Sequence, residues 1–283
     1  MQSSLTHVRL AGIAVTVGSV VRDFQAEGLA AGQDPAQLAR LAKAVGLRER
    51  RVVADGVTAL DLCADAAARL LDEAAADASS LDAVIFVTQT PDHPQPNNAS
   101  LLHARLGLSK AAAAHDLSLG CSGWVYGLHQ AAMLCAAGAA RVLVCAGDTL
   151  SRLVDPNDPA TAPLFGDAGS AMLVEKTGEA TAMHFVFGTD GAGASAIVVP
   201  AGAARQPAGA GPSACLRMDG AAVYEFALRE VPPAVAQVLK LAGWTPESAD
   251  HLVLHQANRF VVSSVARKCG FPEDKVPMDI VEQ

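Results

Sequence analysis

The chain has 283 residues, 51% of them apolar and 18% charged, with a mean hydropathy of +0.27, which excludes intrinsic disorder and allows one large core or two smaller ones. With 21 Lys and Arg against 29 Asp and Glu the formal charge is -8, the wrong sign for a protein held on phosphate backbones, so no nucleic-acid partner is expected. The longest apolar window, 131–147, is Ala-rich and interrupted by Arg141, and it falls short of the roughly 20 residues a bilayer span needs, so no membrane partner is expected either.

Residues 10–21 are apolar and β-branched without a basic leader, and they predict a first strand and a cytoplasmic protein. Alternating signals follow: a helix over 57–76, a strand over 83–88, a helix over 99–106, a strand over 114–119, a helix over 122–137, and strands over 141–146 and 170–175. This βα alternation predicts an α/β protein with buried, mostly parallel strands. The Gly/Pro-rich stretch 200–213 reads as a flexible loop.

Part of the pattern recurs. Segment 81–86 (Leu-Asp-Ala-Val-Ile-Phe) aligns with 249–254 (Ala-Asp-His-Leu-Val-Leu) at an offset of 168, and 104–108 and 115–117 align with 267–271 and 278–280 at an offset of 163. The pattern predicts two halves, 1–177 and 178–283, that share one architecture. The second offset sends Cys121 to position 284, one place past Gln283.

The six cysteines, none in a Cys-x-x-Cys pair, suit reduced thiols rather than disulfides or zinc. Cys63, Cys135 and Cys145 lie among Ala, Leu and Val and read as small core residues. Cys121 differs, because it follows a strand and a glycine at the start of a helix, where unpaired backbone N–H groups and the helix dipole favour thiolate and could bind an oxyanion. A nucleophile and a buried corner residue both fit that position. His255 ends an apolar run and opens the polar sequence His-Gln-Ala-Asn, at the kind of strand end where ligands bind in open sheets. It fits a catalytic partner of Cys121 or a hydrogen-bonded structural histidine. The Gly-punctuated turn at 165–171 lacks the Lys of a phosphate loop, so its small residues are expected to let backbones approach closely.

Together, Gly-Cys-Ser-Gly at 120–123, Phe-Gly-Asp-Ala-Gly-Ser-Ala at 165–171, Met-Asp-Gly-Ala-Ala-Val-Tyr-Glu-Phe-Ala at 218–227 and His-Gln-Ala-Asn at 255–258 resemble the β-ketoacyl-ACP synthase III group of the thiolase superfamily. The resemblance covers essentially the whole chain. It implies a duplicated βαβαβαββ fold, with two pseudo-symmetric halves in a five-layered α-β-α-β-α arrangement, and a homodimer. It further implies that Cys121 takes an acyl group from acyl-CoA, that malonyl-ACP then loses CO₂ and attacks the thioester, and that His255 shares enolate stabilisation with an Asn. No cofactor or metal is implied. Phe165, Leu216, Met218, Tyr224 and Ala257 match acyl-pocket positions, and Asn258 and Arg259 join them as substrate-binding candidates.

The family's Asn belongs in a loop expected from position 284 onward, so the sequence reads as part of a longer protein. A Trp and an Arg usual at the CoA entrance are absent from 39–50, Pro159 stands where an Arg is expected, and Arg259 precedes Phe260 where the family's Arg falls one place later. These departures point to an atypical acyl donor or to a role outside primary fatty-acid initiation. Arg152, Arg259, Arg267 and Lys268 could form a basic patch for an acidic carrier protein, or a solvated helix face. Two alternatives to condensation remain: acyl transfer from Cys121 to an alcohol or amine, and a non-catalytic partner subunit.

Overall fold

In the computed structural model, which describes residues 1–159, 161–207 and 214–280, the chain opens with strands β1 (Gln2–Thr6), β2 (Val8–Val17) and β3 (Val20–Asp23). Helices α1 (Phe24–Ala30) and α2 (Pro35–Val45), β4 (Glu49–Val52), α3 (Ala59–Glu73) and β5 (Ala83–Val87) follow. Next come α4 (Asn98–Arg105), β6 (Ala113–Leu117), α5 (Gly123–Ala137), β7 (Arg141–Thr149) and β8 (Asp167–Lys176). The remainder holds β9 (Ala182–Val186), β10 (Ile197–Val198), β11 (Arg217–Met218), α6 (Gly220–Ala242) and α7 (Arg259–Cys269). The single first strand expected over 10–21 is two strands. The chain turns at Gly18, where a Cβ would lie 2.3 Å from the Val52 carbonyl carbon, and β3 leaves to pair with β4.

The central sheet has the order β2-β8-β7-β5-β6. β7, β5 and β6 are parallel, whereas β8 runs antiparallel to both β7 and β2. The expectation of mostly parallel strands is therefore corrected to a mixed sheet. A parallel neighbour needs a crossover, usually helical; among the described residues between β7 and β8 only two short 3₁₀ turns intervene, and the chain doubles back.

Both faces of this sheet are covered. Val84, Phe86, Leu143, Cys145, Ala171 and Leu173 pack with α3 and α4, while the alternate residues Ala83, Ile85, Val87, Val142, Val144, Met172 and Val174 pack with α5. The period of two puts an apolar side chain on each face, so these strands appear in the sequence as continuous apolar runs. Each fully buried Ile or Phe adds about 1.5–3 kcal/mol of burial. Small residues set the spacing: a Cβ at Gly169 would sit 2.5 Å from the Cys63 backbone nitrogen, and one at Gly166 would sit 3.0 Å from the Arg51 carbonyl. The close backbone approach expected of the 165–171 turn is present.

The boundary proposed at 177 lies between β8 and β9, and β9 pairs antiparallel with β1. In the second half, α7 is the counterpart of α4, and both helices are followed by a left-handed glycine, Gly107 (φ 67°) and Gly270 (φ 76°), related by the offset of 163. The strand expected at 249–254 is an extended run outside any ladder among the described residues. Leu252 N–H donates to the Lys275 carbonyl at 2.9 Å, in the place where the first half pairs β5 with β6. Of the stretch 200–213, residues 208–213 lie outside the described residues. No described helix is long and apolar enough to cross a membrane.

Candidate active site

Cys121 stands between β6 and α5. The Gly120 carbonyl accepts from Gly123 N–H at 2.7 Å, which makes Cys121 and Ser122 the central residues of a tight turn that feeds the helix. Two glycines one turn apart seat α5 on the sheet. A Cβ at Gly123 would fall 2.4 Å from Val87 Cγ1, and one at Gly127 would fall 2.8 Å from Val144 Cγ1. The helix start is thereby drawn to the carboxyl end of β5, with Cys121 open to solvent above it.

His255 arrives on the extended segment before α7, held by its own motif. Gln256 donates from Nε2 to the Leu254 and Pro277 carbonyls at 2.9 and 3.3 Å and accepts from Asp279 N–H at 3.1 Å. Asn258 caps α7, its Oδ1 accepting from Val261 N–H at 2.8 Å. Asn258, expected at the substrate, makes a capping bond because a side-chain oxygen at a helix start satisfies an otherwise orphaned donor.

The Cys121 thiol and the His255 imidazole hydrogen-bond to each other. That bond holds the thiol below its ordinary range; partial burial and the Asp148 carboxylate oppose it, and the Cys121 N–H assists. The imidazole is raised by the same bond against the opposing effect of burial. Both shifts favour a thiolate–imidazolium pair, a nucleophile with its proton already on the neighbouring base.

The other expected residues are more widely distributed. The Phe165 carbonyl accepts from Arg50 Nη1 at 2.9 Å, and the Arg50 guanidinium also pairs with Glu27. Leu216 is buried and donates from its N–H to the Leu153 carbonyl at 2.6 Å; Met218 pairs with Ile197 between β11 and β10. Tyr224 packs against Phe260 in a tilted pair with ring centroids 5.1 Å apart, which joins α6 to the first turn of α7. Ala257 N–H donates to the His255 carbonyl at 3.0 Å, and Arg259 lies against Gly46 at the end of α2. A groove of about 590 Å³, lined by Glu225, Leu228, Pro232 and Lys268 among others, follows α6 and includes neither Cys121 nor His255. Within the expected basic patch, Lys268 Nζ donates to the Leu228 carbonyl and Arg152 to the Ala54 carbonyl.

Sequence reasoning missed the polar cluster beneath Cys121. Thr88, Gln89 and Thr90, which follow β5, all donate to Asp148 near the end of β7. The available signal was a change from apolar to polar residues at the carboxyl ends of adjacent parallel strands.

Comparison with known proteins gives one answer. The model of 3-oxoacyl-[acyl-carrier-protein (ACP)] synthase III matches residues 115–191, and that of its C-terminal part matches 239–283. The β-ketoacyl-[acyl-carrier-protein] synthase III of Streptococcus suis is 36% identical over 240 residues, 83% of this chain and 73% of that protein. The β-ketoacyl-[acyl-carrier-protein] synthase III 3 of Streptomyces coelicolor is 37% identical over 245 residues, 84% of this chain and 73% of its own length. A crystal structure of 3-oxoacyl-(acyl-carrier protein) synthase from Burkholderia xenovorans LB400 superposes with a TM-score of 0.95 at 35% identity, covering 100% of this chain and 82% of that one. The fold is therefore the thiolase-like α/β fold expected from the motifs, and the chain belongs to the 3-oxoacyl-[acyl-carrier-protein] synthase III family.

Proposed function

We propose that this chain condenses an acyl group, taken from acyl-CoA onto Cys121, with malonyl-ACP to give a β-ketoacyl thioester. The observation that carries the proposal is the hydrogen-bonded Cys121–His255 pair at the start of α5; membership of the synthase III family supports it.

The Cys121 sulfur attacks the donor thioester carbonyl, the bond from that carbonyl to the CoA sulfur breaks, and the departing thiolate takes the proton held by His255. When the malonyl thioester loses CO₂, the electron pair of the broken C–C bond moves into an enolate. His255, which regains a proton from solvent once the CoA thiol has left, donates a hydrogen bond to the enolate oxygen, and the enolate carbon attacks the acyl thioester on Cys121. The carbon–sulfur bond then breaks and the thiolate is restored. Decarboxylation supplies the carbanion, so no cofactor or metal has a step to perform. The expected assembly is a homodimer in the cytoplasm, with acyl-CoA and acyl carrier protein as its partners.

The test is labelling with radioactive acyl-CoA followed by product analysis. Wild type should carry label on the Cys121 peptide, then release CO₂ and form a β-keto product with malonyl-ACP. Label on Cys121→Ala would overturn the assignment of the nucleophile. An ester or amide product would identify a transferase acting on an alcohol or amine, and an unacylated Cys121 across a panel of acyl-CoAs would identify a non-catalytic subunit.

A further inference from the structure

The polar cluster below the nucleophile is built for more than closing strand ends. Asp148 Oδ1 accepts from Gln89 N–H at 2.7 Å, Thr88 Oγ1 at 2.9 Å, Thr90 Oγ1 at 2.9 Å and Thr90 N–H at 3.1 Å. Its Oδ2 accepts from Gln89 Nε2 at 3.0 Å. With Nε2 held there, the opposite end of the Gln89 amide faces the nucleophile turn, and a Cβ built at Gly120 would lie 2.9 Å from Gln89 Oε1. Gly120 in turn supplies the carbonyl that closes the turn around Cys121.

We propose that Asp148 is a positioning residue for the nucleophile: it locks the Gln89 side chain beneath Gly120, and this floor fixes the turn that presents Cys121. The inference rests on Cys121 being the reactive group. The cluster links three elements that share no covalent neighbour, since the segment after β5 supplies Gln89, β7 supplies Asp148 and the lead-in to α5 rests on both. Gly120 has no side chain to hold the turn itself, and the Gln89 amide occupies the space a Cβ would take. The charge of Asp148 also reaches the sulfur. The charged groups acting on the thiol are His255, which favours thiolate, and Asp148, which disfavours it. Asp148 therefore holds the turn rigid and tempers the anion that His255 promotes.

The test needs no acyl donor, so it stays separate from the outcome of the condensation assay. Iodoacetamide alkylation of Cys121 is followed across pH by peptide mass spectrometry, and hydrogen exchange is followed in the peptide 117–124. Wild type, Asp148→Asn and Gln89→Ala are compared. Asp148→Asn should lower the alkylation midpoint, because a negative charge near the thiolate is gone, and should speed exchange in the turn several-fold. Gln89→Ala, a substitution at an exposed side chain, should speed exchange in the same peptide and leave the midpoint in place. Unchanged exchange in Gln89→Ala overturns the proposal even if Asp148→Asn fails to fold. So does a folded Asp148→Asn whose midpoint stays put or rises.

Discussion

The Cys121–His255 hydrogen bond shifts the two groups in opposite directions, lowering the thiol and raising the imidazole. His255→Ala removes the largest influence holding the thiol down. Its alkylation midpoint should then rise toward or past the ordinary thiol value of about 8.5, and acyl transfer to Cys121 at neutral pH should fall about 100-fold or more. Stopped-flow acylation and iodoacetamide rates at several pH values check both. His129 presents the contrasting case. It is 4% exposed, its ring lies 4.8 and 5.0 Å from those of Phe185 and Phe187, its Nε2 has no partner among the described residues, and burial holds its pKa below the ordinary value. The folded state therefore resists protonation that the unfolded chain accepts below about pH 6.5, and wild type loses stability as pH falls from that point. His129→Leu should be more stable relative to wild type at pH 5 than at pH 7 in denaturant melts. An unchanged difference would contradict the desolvated imidazole.

At the scale of the element, α5 depends on the absence of side chains. Helix propensity alone would make Gly123→Ala stabilising by about 1 kcal/mol. The new Cβ would instead meet Val87 Cγ1 at 2.4 Å and Leu119 Cβ at 3.0 Å, and Val87 is 3% exposed with its rotamer restricted by branching. Overpacking costs about 1–3 kcal/mol, so the net effect should be a loss of stability. Because the helix start moves with it, Cys121 alkylation should change as well, which thermal melts and labelling of the same sample can show together. β8 has a different requirement. Glu175 pairs across the sheet with Arg9 on β2 and Arg141 on β7, at 2.8 and 2.7 Å. Burial pushes its carboxyl up, but the two guanidinium groups outweigh this and leave it below the ordinary range. A depressed carboxyl stabilises the fold above the unfolded value of about 4.3, and that stability is lost as pH falls through the folded value. Glu175→Gln should cost about 1–3 kcal/mol at pH 7 and flatten the acid limb of stability against pH.

For the whole molecule, what was legible from the sequence divides according to where the information resides. The apolar runs of β5, β7 and β8 and the Ala-rich α3 are local patterns, and their positions matched expectation to within a few residues. The direction of β8 was not local, since it depends on a connection whose lack of a helix is easily overlooked. The β1–β9 pair joins Gln2 to Val186, and no short window contains that register. Cys121 and His255 were legible because each carries a local anomaly, a thiol at a helix start and a polar run at the end of an apolar segment. Asp148 and Gln89 were not, because the adjacency of β5 and β7 brings together residues 59 positions apart. The capping bond of Asn258 was not foreseen for a related reason: a helix cap and a ligand contact call for the same side chain.

The sulfur atoms of the core have a use that follows from their enclosure. Cys63, Cys135 and Cys145 are completely shielded from solvent. Burial pushes the Cys135 thiol up to about 11, and the hydrogen bond with Cys63, with burial added, raises Cys145 well above the usual range. In the native molecule they are deaf to thiol reagents that Cys121 answers at once. A tally of modified sulfurs per chain is thus a built-in tamper seal: it tells a protein silenced at its nucleophile from one whose interior has come open.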